Sequence, residues 1–261
     1  MCDDAGIDAV WVREPSDSSG REELDPWTAL ALAGREAQRA RLGAVLRVAR
    51  PAALVSAMIA TLDAASRGRL ELTLSDMPAR RLRAYAPRLR ALVGPATTLV
   101  IEARSPEALG IAARVADDVL LPATRSVDLP ALVDRVRVAC GREGRDPSSL
   151  GLAMELPVSI GRTTAEAQFR AETEPLFAVV GQPRDVGVFG TLEQCQVRVQ
   201  ELAHAGVVDL RCIVPNSADV HDVIAQLTAI AVGTVDVFVP GAPRSKAPDP
   251  PPSWGGRRPT P

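Results

Sequence analysis

The sequence predicts a parallel α/β fold of the barrel type, on three observations. Strand and helix patterns alternate along nearly the whole chain, as a parallel sheet with crossover helices requires. The length of 261 residues fits one α/β barrel domain. Aromatic residues make up 3% and apolar residues 46% of the chain. The core must therefore be built from Ala, Val, Leu and Ile, which suits helices packed on such a sheet.

The elements follow in order. Ile7–Val12 is a short β-rich apolar run and reads as the first strand. Arg13–Leu24 is polar and turn-rich. Asp25 as N-cap and Pro26 at the first helical position start a helix running to about Ala40. Leu42–Val48 is the second strand. Pro51 opens a helix closed by Ser66-Arg67-Gly68. Leu70–Leu74 is the third strand, followed by an Arg-rich helix over Ala79–Leu92. Thr97–Ala103 is the fourth strand, and Ser105-Pro106-Glu107 begins a helix with N-cap, first-turn proline and an acid at the positive dipole end. Val119–Leu121 is the fifth strand, and Asp128–Cys140 the helix after it. Leu152–Ile160 is the sixth. Thr163–Glu166 and Thr191–Gln194 are capping boxes of two helices, with Gly181–Gly190 as a loop between them. Val207–Val214 is the seventh strand, and Asp219–Ala231 a final helix. Residues 1–240 make the barrel domain. The tail from Gly241 to Pro261 is rich in Pro and Gly and reads as extended or disordered.

Composition removes several function classes. A formal charge of −2 gives no basic footprint for nucleic acid or an anionic membrane. The single lysine, Lys246, lies in the tail, so the barrel has no lysine for Schiff-base chemistry. Cys2, Cys140, Cys195 and Cys212 form no CxxC pair, and His204 and His221 form no metal-type spacing, so no metal site is expected. No signal-like or membrane-spanning run is present, and the chain reads as a soluble cytoplasmic protein with reduced thiols.

The segments AGIDAVWVRE, DPWTALALAG, RARLGAVLRV, PAALVSAMIATLDAASRGRLELTLS, SPEALGIAARVADDVLL, GREGRDPSSL and FGTLEQCQVRVQELAHAGVVDL occur in one order across residues 5–232. Together they resemble the luciferase-like monooxygenase superfamily. The resemblance implies an α/β fold of the (β/α)8 TIM-barrel type. It also implies FMN or coenzyme F-420 at the C-terminal strand ends, and hydride transfer or monooxygenation of a small-molecule substrate. Relatives commonly dimerise, so a homodimer is expected. Family chains begin with a strand and most of a helix ahead of the AGIDAVWV segment. The barrel is therefore expected to be incomplete at the N-terminus, with its first strand missing and seven strands countable. Residues 233–240, GTVDVFVP, are a candidate to fill an edge. The insertion before TTLVIEA is also shorter than is usual.

The candidate site follows from these strand exits. The exit Ala103-Arg104-Ser105-Pro106-Glu107 leads into a helix start, a ready anion site, and the matching family position contacts the cofactor phosphate or its surroundings. Glu14 keeps the acid that many relatives place there, while the histidine that follows it in them is replaced by Pro15. It is a candidate general base, against the plainer reading of a loop anchor. Ser75 closes a strand where relatives commonly carry a glycine-rich exit, and Arg47 flanks another exit. Asn216 and Ser217 leave the last strand where barrels often hold phosphate, with His221 one turn on as a catalytic candidate. The alternative is a degenerate, non-catalytic barrel acting as a binding or partner subunit. A non-redox phosphate-binding barrel enzyme ranks third.

Overall fold

The computed structural model of the chain describes residues 8–14, 25–47, 50–174, 177, 183–213 and 225–230. In chain order the elements are β1 (Ala9–Arg13), α1 (Pro26–Glu36), β2 (Arg41–Leu46), α2 (Ala52–Ser66), β3 (Leu70–Leu74), α3 (Ala79–Val93), β4 (Thr98–Glu102) and α4 (Pro106–Val115). They continue with β5 (Asp118–Leu121), α5 (Leu129–Arg142), β6 (Gly151–Ile160), α6 (Thr164–Thr173), α7 (Pro183–Val186), β7 (Val188–Gly190), α8 (Leu192–His204) and β8 (Val207–Ile213). Residues 225–230 are helical. The 233–240 segment and the 241–261 tail lie outside the described residues.

All the paired strands are parallel. The order is β1-β2-β3-β4-β5-β6-β7, and β8 also pairs with β6. Among the described residues β1 pairs only with β2, so within them the barrel is incomplete at that edge. One sequence expectation is corrected. Gly181–Gly190 is not a plain loop, because Val188–Gly190 forms a strand against Val158–Ile160. A three-residue strand is too short to show a periodicity. It forms because β6 is ten residues long and offers ladder positions beyond those taken by β5 and β8.

Local signals placed the other elements. Asp25 accepts from the Thr28 amide at 2.9 Å, and α1 stops at Glu36, short of Ala40, because the chain turns extended at Ala37 to enter β2. Thr191 and Gln194 close a full capping box on α8. At α6 only half forms, since Thr163 accepts from the Glu166 amide while the Glu166 carboxylate turns back to the Arg162 amide.

The sheet has two unlike faces. Leu42, Ala44 and Leu46, Leu70, Leu72 and Leu74, and Met154, Leu156 and Val158 point outward and form the main core with the helices. On the opposite face the separate apolar cluster is just Val100, Leu120 and Ala153. That face also carries polar and charged residues, including Glu71, Thr73, Asp209 and Arg211, which meet in hydrogen bonds and ion pairs. Arg13 on β1 meets Glu155 on β6 at 2.5 Å. In a flat sheet strands five positions apart would stand about 24 Å apart, so the contact requires the sheet to curl round its polar face.

Candidate active site at the C-terminal rim

Because the strands run parallel, their C-terminal ends share one rim. The ladder extends one residue past three of them. The amides of Glu14, Ser75 and Ala103 donate to the carbonyls of Val45, Leu46 and Leu120 at 3.0, 2.9 and 2.9 Å. These bonds hold the exits rigid and fix where each side chain points.

A connected set of charges lines the rim. Arg13 binds both carboxylate oxygens of Glu155, at 2.6 and 2.5 Å, and donates to the Ser75 hydroxyl at 3.3 Å. Ser75 in turn donates to Glu102 Oε2 at 2.5 Å. Glu102 Oε1 accepts from Arg104 Nε at 2.6 Å. Arg104 Nη2 lies 3.6 Å from Asp76 Oδ1, and Arg47 Nε donates to Asp76 Oδ2 at 2.8 Å. Three guanidinium groups, on Arg13, Arg47 and Arg104, therefore face three carboxylates, on Asp76, Glu102 and Glu155.

Glu14 is placed differently. Val12, two residues earlier, packs into the outer core, and Glu14 shares its side of the strand. The carboxylate is buried, with one oxygen accepting from the Arg47 amide at 3.1 Å and the other from Arg50 Nε at 2.9 Å. Tyr85 lies behind this pair. Burial, and secondarily the Glu14 charge, pushes its hydroxyl up to about 12.

At the fourth exit, Ala103 is buried and Ser105 caps α4, accepting from the Ala108 amide at 3.1 Å. Pro106 is the first residue of α4. Glu107 turns away from the rim and pairs with Arg83 of α3. Both Pro106 and Glu107 line a groove of about 400 Å³ on the outer helical layer, with Arg114 and Arg142. That groove is open, mixed in charge and set among helices, so the strand ends remain the better candidate site. The structure thus joins Arg47, Ser75 and Arg104 in one network, ties Glu14 to it through the Arg47 amide, and separates Glu107 from it. Asn216, Ser217 and His221 lie outside the described residues.

Arg13, Asp76 and Glu155 were missed as members of this network. The polar face on which the network sits did carry a signal. In LELTLSD, polar residues alternate with leucines at Glu71, Thr73 and Ser75, which marks a polar face of a strand that should be buried on both sides. The buried thiols are poor nucleophile candidates, since burial pushes Cys195 up to about 11. Among the described residues no group of three or more His, Cys, Asp or Glu is arranged to hold a metal, and no helix is long and apolar enough to cross a membrane.

The fold is a parallel α/β barrel-type sheet with a charged C-terminal rim, and comparison with known proteins specifies the family. The profile of the luciferase-like monooxygenases matches residues 1–76 and 78–210, and the chain belongs to that family. Its fold is similar to an F-420-dependent secondary alcohol dehydrogenase solved with an F-420–acetone adduct. That pair has a TM-score of 0.74 and 12% identity, over 89% of this chain and 92% of the other. It is also similar to the coenzyme F-420-dependent tetrahydromethanopterin reductase of Methanopyrus kandleri, with a TM-score of 0.68 and 15% identity over 87% and 91%. A riboflavin lyase solved with modified FMN and riboflavin gives a TM-score of 0.73 and 15% identity over 93% and 84%. At these identities the likeness is one of fold.

Proposed function

We propose that the chain is an oxidoreductase that binds FMN or coenzyme F-420 at the C-terminal rim and acts on a small organic substrate. The observation that carries this reading is the convergence of Arg47 and Arg104 on a single carboxylate at the rim. Two guanidinium groups aimed at one anionic centre are the donor set a phosphate needs, and both cofactors carry a phosphate. Arg47 and Arg104 would hold that end, with Ser75 positioning Arg104 through Glu102 and the start of α4 adding its dipole nearby. When bound, either cofactor supplies a ring that accepts or donates a hydride. The chain's own residues bind and orient. Glu102 fixes Arg104 and Ser75, and Glu14 anchors the exit of β2 by holding the Arg47 amide and Arg50.

Fluorescence titration of the purified chain with FMN and with F-420 tests the reading. Binding to one of them, weakened at least about ten-fold by Arg104→Ala, is the expected result on the loss of a charge-assisted contact. No binding to either at tens of micromolar overturns it.

A further inference from the structure

We propose that the Asp76 carboxylate is a built-in occupant of the anion site between Arg47 and Arg104, and that a phosphate-bearing ligand displaces it on binding. The inference rests on the cofactor reading only in naming a flavin phosphate as the natural occupant.

Three observations carry it. Asp76 Oδ2 accepts from Arg47 Nε at 2.8 Å and lies 2.5 Å from its Nη2, while Oδ1 faces Arg104 at 3.6 Å. The carboxylate therefore takes the place where the two guanidinium groups converge. Asp76 also has a left-handed backbone, with φ of 52°. Few residues other than glycine adopt that conformation, and Asp and Asn are among those that do. The Asp76 amide donates to Glu102 at 3.1 Å, so the backbone is held from behind by a bond that does not involve the Asp76 side chain. Charge balance is the third. A phosphate brings a charge of about −1.5 to −2 to a rim already neutral in its three pairs. Of the three carboxylates, Glu102 is buried and bound on both oxygens, and Glu155 is gripped by Arg13 at both of its own. The Asp76 side chain is 28% exposed and can turn into water.

Asp76→Asn keeps the size and the backbone conformation and removes the charge; Asp76→Gly, which the backbone also favours, serves as a second variant. FMN and riboflavin differ by the phosphate alone, so their dissociation constants isolate it. Both variants are expected to bind FMN about ten-fold more tightly than the parent protein, with riboflavin unchanged. Adding Arg47→Gln should erase the gain. Inorganic phosphate at matched ionic strength is an independent probe. It should raise the thermal midpoint of both variants more than that of the parent. If no flavin or F-420 binds while phosphate still separates variants from parent, the cofactor reading fails and this proposal stands. If phosphate stabilises parent and variants alike, or the variants tighten FMN and riboflavin equally, the proposal is overturned.

Discussion

Asp118 opens β5 on the polar face, opposite Gly151. Burial pushes its carboxyl up from 3.8 to about 6, with the charges of Glu71 and Asp209 adding to the effect and Arg41 opposing it. An acid whose pKa rises on folding takes up a proton as the chain folds. Stability therefore falls as pH climbs from about 4 to about 6, and the whole penalty is present above that window. Two pKa units correspond to about 3 kcal/mol as an upper value. Asp118→Asn is expected to stabilise the protein by about 1–3 kcal/mol near pH 8, and to change little near pH 4. Urea unfolding at the two pH values checks this, and equal gains at both would remove Asp118 as the source.

At the scale of elements, neighbouring strands are fitted by size as well as by hydrogen bonds. Trp11 on β1 lies opposite Gly43 on β2, and a Cβ on Gly43 would stand 1.8 Å from the indole. The glycine is needed for this close approach. The indole lies flat enough to donate to Glu71 at 2.7 Å, with the Arg211 guanidinium 4.7 Å from its centroid. Gly43→Ala should displace Trp11 and cost about 1–3 kcal/mol, read by denaturation together with a change in near-ultraviolet circular dichroism. Gly151→Ala should be milder, because what it meets first is the movable end of Asp118 at 2.1 Å. Caps and helix starts at Asp25, Ser105 and Thr191 were legible, because their bonding spans three residues. The fit of Trp11 to Gly43 was not, because register between strands about 30 residues apart is set by the sheet.

On the scale of the molecule, side chains link the two ends of the sheet. Arg211 on β8 bonds Glu71 at 2.5 Å and Thr73 at 2.8 Å, and Arg41 reaches Asp209 at 3.3 Å. Arg211 and Glu71 are 3% and 1% exposed, so neither charge is relieved by water. Removing Arg211 leaves the buried Glu71 carboxylate with the part-exposed Arg41, 3.1 Å away, as its remaining cation. Arg211→Met should therefore destabilise by less than the ~3–5 kcal/mol of a wholly unpaired buried charge, and adding Glu71→Leu should recover part of the loss. Should the double variant fare no better than the single one, direct attraction rather than stranded charge would be the main contribution.

By itself the sequence determined the alternation of strands and helices, the helix caps at Asp25, Ser105 and Thr191, and three of the polar residues that meet at the rim. Each is written in residues a few positions apart, or in order along the chain. The tertiary structure alone decided that Val188–Gly190 joins the sheet, that β8 pairs with β6, and which carboxylate each arginine meets. Those choices link residues up to 168 positions apart. They depend on how far the sheet curls, a property of all its strands together.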